Sequence, residues 1–265
     1  MTHLLRALPD LFRVSFAGVV AYRAEMVIWI LTSTMPLIML AMWNAVVEEA
    51  PLMGFGPTEI TRYFAATLVV RQLTSSWLLW EMNQEIRTGA LSMKLLRPMH
   101  PLWVHAADTL AAMPTRLVVL LPMVLALVAW RPELLTLPDP WSLALFVPSV
   151  FLAWLLGFLV QASFACLAFW LEQTQGLFGM WFGAWMLLSG YLAPLEMFPE
   201  RAQTWLAVLP FRGMLAAPVG LLSGSTDLGT ALADLGTQLA WVAVGFVVVG
   251  ALWRRGLVRY GAYGA

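Results

Sequence analysis

Four stretches of the chain run without a charged residue for the length of a bilayer crossing, and the polar positions gather between them. Residues 26–47, 141–171, 173–195 and 235–253 are the uninterrupted runs. A transmembrane helix needs about 20 mostly apolar residues, so each run predicts one. Two weaker runs are read as spans as well: 63–80, which carries Arg71, and 108–130, which carries Arg116. None of the six shows the period-two alternation of a membrane strand, so the fold class predicted is an all-α integral membrane protein with six transmembrane helices.

The segments between the runs have their own patterns. Before the first span, Leu4, Leu8, Leu11, Phe12, Phe16 and Val19 recur near helical spacing, with Arg6 and Arg13 away from them. Residues 1–25 therefore predict an amphipathic helix lying on the membrane surface. Residues 87–101 are short, basic and sharply bounded. Gly89 is a natural helix stop, "ALSMKLLR" has the length of about two helical turns, and Pro98 and Pro101 close it off. Leu91, Met93 and Leu95 give this small helix an apolar side, and Lys94 and Arg97 its charge. Residues 196–224 are too broken by Pro, Glu and Arg to cross, yet too apolar for a solvated loop. They predict short re-entrant helices, which survive at membrane depth only where protein covers their free backbone groups.

Charge then orients the chain. With six spans both termini share a face. That face holds nine Lys and Arg, among them Arg6, Arg13, Arg87, Lys94, Arg97, Arg254 and Arg259, against four on the other. The positive-inside rule makes it cytoplasmic. Composition agrees: 61% of residues are hydrophobic and 11% charged, against roughly 25% charged in soluble domains. A single Cys excludes an internal disulfide, and no basic face suits nucleic acid. The whole reads as one transmembrane domain over 1–265.

Within the spans, Arg71 lies roughly 12 Å below the outer end of its helix. Lipid is a costly place for it, so it should face protein or water as a substrate or gating contact, pair with an acid such as Glu59 or Glu48, or snorkel. Asn44, Gln72, Gln161 and Gln175 could line a pathway or bond helix to helix. Arg116 is expected to snorkel or to pair with Asp108. His100 and His105 flank Pro101 at a membrane edge, in poor geometry for a shared metal. No H-E-x-x-H and no G-x-S-x-G occurs, so no enzyme or metal site is expected.

The order of elements resembles the permease subunits of type-2 ABC exporters: amphipathic helix, two spans, short cytoplasmic helix, three spans, outer re-entrant segment, last span. "IRTGALSMKLLRPMHPLW" is similar to the loop after their second span, and "PLEMFPERAQTWLAVLPF" to the proline-punctuated segment before their last. The resemblance implies a dimer of permease chains, identical or paralogous, each docked on a separate ABC ATPase subunit in a bacterial inner membrane. It implies that ATP-driven motion enters through Glu85, Arg87, Gly89, Leu91, Met93, Lys94, Leu95, Arg97 and Pro98. No G-x-x-x-x-G-K-[ST] is present, so ATP and Mg are expected on the partner and no cofactor on this chain. A secondary transporter would need buried carboxylates for ion coupling, and the uninterrupted spans hold none. A membrane enzyme or scaffold is the remaining alternative.

Overall fold

Proline and glycine set where most helices begin and end. In the computed structural model, which describes residues 34–49, 52–136 and 138–263, α1 spans Met35–Glu49. The expected surface helix over 1–25 and the first part of the span over 26–47 lie outside the described residues. Helix α2, Pro57–Thr74, opens on a proline, whose missing N–H costs nothing in a first turn, and the Gly56 N–H donates to Glu59 Oε2 at 3.0 Å. Helix α3, Leu78–Thr88, ends at Gly89, whose φ of 78° lies in the left-handed region that glycine enters without steric cost. After it come the short α4, Leu91–Leu95, then α5, Pro101–Ala111, and α6, Met113–Trp130.

The rest of the chain alternates long and short helices. Helix α7 covers Pro140–Cys166 and continues as a 3-10 turn to Phe169; α8 is Gln175–Leu188. Then come α9, Glu200–Val208, α10, Pro210–Met214, and α11, Ala216–Ser223. The last helix, α12, runs 36 residues over Leu228–Tyr263. No extended strand forms among the described residues; there is only an isolated bridge between Leu52 and Phe55. The described residues are all-helical in their regular structure. Among the described residues, three helical stretches are long and apolar enough to cross a membrane: Pro101–Trp130, Pro140–Phe169 and Leu228–Tyr260.

Two apolar runs of the sequence are not simple helices. The run 63–80 is broken at Ser75–Trp77, between α2 and α3. There the Ser75 hydroxyl donates to the Gln72 carbonyl at 3.2 Å, and the Leu78 N–H donates to the Ser76 hydroxyl at 3.3 Å. Serine side chains of this kind compete with the helical ladder for backbone partners. The run 173–195 holds a helix of only 14 residues, roughly 21 Å long. Helix α8 stops at Leu188, and the chain turns through Gly190, whose φ is 88°.

Helices α7 and α12 pack along one another. Contact is close where glycine removes a side chain: a Cβ on Gly256 would lie 2.0 Å from Phe169 Cδ2. Helices α10 and α11 are wedged between this pair and α2, and residues 213–221 are buried. Polar side chains stitch the segment down. Gln238 on α12 donates to the carbonyls of Ser149 at 3.0 Å and Gly213 at 2.7 Å. Ser142 donates to the Leu221 carbonyl, Trp241 to that of Val208 and Tyr63 to that of Gly190. Apolar short helices in this region are thus supplied with protein partners for carbonyls that a bilayer could not satisfy.

Candidate functional site: a cavity and a helical clamp

The break between α2 and α3 opens onto a cavity of about 490 Å³. Ser75, Ser76 and Trp77 line it at the break, Gly157 and Gln161 from α7, and Gln175, Phe178 and Trp181 from α8. The volume falls in the range of small-molecule pockets, roughly 300–1,000 Å³. Helix α8 contributes Phe178, Trp181, Phe182 and Trp185, an i, i+3, i+4, i+7 set that places four aromatic rings along one face. Phe178 and Trp181 stack with centroids 5.5 Å apart, and Phe182 and Trp185 with centroids 5.3 Å apart.

Arg71 is the single charged side chain among the described residues lining the cavity. Its guanidinium carbon lies 5.2 Å from the centroid of the Trp185 ring, a cation–π contact, with the Tyr191 hydroxyl as its polar neighbour. Neither Glu59 nor Glu48 forms an ion pair with it. Of the expected pathway residues, Arg71, Gln72 and Gln161 line the cavity, as does Gln175. Asn44 does not: it is buried between α1 and α2, with Nδ2 donating to Thr61 Oγ1 at 3.4 Å. Arg116 is buried and donates to the Ser75 carbonyl that the helix break sets free.

A second arrangement surrounds α4. Glu81 and Glu85, one turn apart on α3, face His105 on α5. His105 Nδ1 lies 3.0 Å from Glu81 Oε2, and Nε2 lies 3.3 Å from Glu85 Oε2. The other Glu85 oxygen takes the Lys94 ammonium from α4. Glu85 is therefore shared by three helices. Burial raises its carboxyl, but hydrogen bonds and charge from His105 and Lys94 outweigh that, and its pKa lies below the ordinary 4.5. His100 caps α5, its Nδ1 accepting from the Leu102 N–H at 3.2 Å, and burial lowers its pKa.

The small helix is thereby oriented. Leu91 is 0% exposed and packs inward, whereas Met93 is 67% and Leu96 81% exposed. Arg87, Gly89, Leu95, Arg97 and Pro98 are also exposed. The apolar side expected of Leu91, Met93 and Leu95 is thus divided: Leu91 anchors the helix, and the outward face is carried by Met93 and Leu96. Sequence reasoning missed Leu96, the aromatic wall of α8 and the His105 cluster. The four-ring spacing on α8 and the i, i+4 pair of glutamates were the available signals.

A comparison of the chain with known protein families gives its family. Residues 27–264 match the family model described as ABC-2 family transporter protein. The chain belongs to the ABC-2 transporter family. It matches no curated protein. As an ABC-2 protein it is the permease subunit of an ABC transporter, and that family works in general with an ABC ATPase.

Proposed function

We propose that this ABC-2 permease exports its substrate from the bacterial cytoplasm, with the cavity at the α2–α3 break as part of the pathway. ATP and Mg are bound by a separate ATPase subunit, and this chain hydrolyses nothing. Two permease chains, identical or paralogous, assemble in the inner membrane. Each crosses six times with both termini cytoplasmic, and the segment 196–224 is re-entrant from the outer side.

One observation carries the coupling role: α4 is a five-residue helix fastened at its root and bare at its tip. Lys94 bonds to Glu85, Leu91 is buried, and Met93, Leu96 and Arg97 point away from the protein. An exposed apolar tip on a rigid mount is the geometry by which a docked partner moves α3 and α5 together. Arg87, Gly89, Leu95 and Pro98 border that tip.

Co-purification tests this reading. The tagged permease should retain an ABC ATPase carrying a Walker motif, and the complex should accumulate substrate on the far side of proteoliposomes only with ATP. Leu96→Asp should abolish retention while the permease still inserts. Extraction of the chain alone under conditions where its membrane assembly persists, with no ATPase bound, would overturn the proposal.

A further inference from the structure

We infer that the cavity takes an amphiphilic organic anion, seating the charged group against Arg71 and Trp185 and the apolar body along the aromatic face of α8. The inference deepens the export reading and rests on it for its place in transport.

The charge of the site decides the class. Arg71 is the one charged lining residue among the described residues, and none of the ion pairs includes it. Beside it, Trp185 is buried, with its ring face against the guanidinium. A guanidinium on a wall that carries no other charge asks for an oxygen bearing negative charge. In surroundings of low dielectric that attraction is stronger than in water.

The same geometry argues against a cation. An aromatic wall is usually a good site for an ammonium group. Here the Trp185 face is already covered by Arg71, at 5.2 Å, so a cationic ligand would meet like charge at the place where the ring would attract it. The remaining rings, Phe178, Trp181 and Phe182, with Trp77 and Trp80 opposite, offer a surface for an apolar or aromatic body. A carboxylate, sulfonate or phosphate head on such a body fits, whether it comes from a membrane lipid or from a soluble amphiphile.

Photolabelling separates these cases. The full permease is placed in nanodiscs of phosphatidylcholine with a diazirine-bearing long-chain carboxylate, and in parallel with the trimethylammonium compound of the same chain. The carboxylate should label peptides covering 71–80 and 175–185 at least tenfold more than the cation. Arg71→Gln should cut that labelling about tenfold, and Arg71→Lys, which keeps the charge but not the planar fork, should cut it less. Both variants are first shown to elute and melt like the parent. Competition by phosphatidylglycerol would assign the head to a lipid, and competition only by a soluble naphthalenesulfonate to a solute; either supports an anion site. Equal labelling by both charges, or labelling unchanged in Arg71→Gln, overturns it. The experiment needs no ATPase. An ATPase complex formed by a permease whose cavity ignores charge sinks this inference alone. Charge-selective labelling without any ATPase association sinks the export reading alone.

Discussion

Arg212 grips Asp234 with two parallel bonds, Nε to Oδ1 at 2.8 Å and Nη2 to Oδ2 at 3.1 Å. The pair joins α10 to α12, and both side chains are mostly buried. A forked contact of this kind fixes angle as well as distance. Asp234→Asn leaves the guanidinium without its charge partner and should lower stability by on the order of 3 kcal/mol. Arg212→Lys, which cannot form the fork, should lose part of that. Thermal unfolding followed by intrinsic fluorescence checks both, and an unchanged midpoint in Asp234→Asn would show that the pair holds nothing in place.

Leu91 and Leu96 should part company on mutation: one opens the small helix and the other follows its last residue. Leu91→Ala removes a fully buried side chain and should cost about 2–5 kcal/mol. Leu96→Asp changes an exposed one, so the melting temperature should stay within error while ATPase association is lost. Equal melting shifts in the two variants would contradict the orientation of α4 described above.

Glu85 should confer an acid limb on stability. Its carboxyl titrates below the ordinary 4.5, so the folded state favours the ionised form. The stabilisation is complete above about 4.5 and disappears as pH falls through the lower folded-state value. At pH 6, Glu85→Gln should therefore be less stable than the parent. The gap should narrow as pH falls below 4.5. Curves that stay parallel down to pH 3 would mean that Glu85 is not held ionised by Lys94 and His105.

Gly256 has no room for a methyl group, since the Phe169 ring occupies the place. Gly256→Ala should push α12 from the end of α7 at a cost of about 1–3 kcal/mol. Trimming the ring in a Gly256→Ala/Phe169→Leu double variant should recover part of the loss. If the double variant melts no higher than Gly256→Ala, the clash is not with that ring.

Much of the architecture was legible along the chain, because burial in lipid or protein demands apolar runs whatever their neighbours. The long helices α7 and α12 follow from the runs 141–171 and 235–253, and Gly89, Pro101 and Pro210 mark helix ends by their own backbone chemistry. The small helix after Gly89 and the broken segment before α12 were visible for the same reason, and Arg71 stood out because charge in such a run is expensive.

Where those elements point was decided only by the fold. A helix of one and a half turns has too few residues for a periodic pattern, so nothing local separates Leu91, which is buried, from Leu96, which is not. The run 63–80 looks continuous because its serines break the helix by hydrogen bonds rather than by polarity. Asn44 and Gln161 are both uncharged amides in apolar helices, and both bond to a neighbouring helix, yet only Gln161 also lines the cavity. The choice of Trp185 over Glu59 by Arg71 is a contact between distant parts of the chain. Hydrophobic pattern records how much each position avoids water; which side chain fills the space beside it depends on how the helices pack.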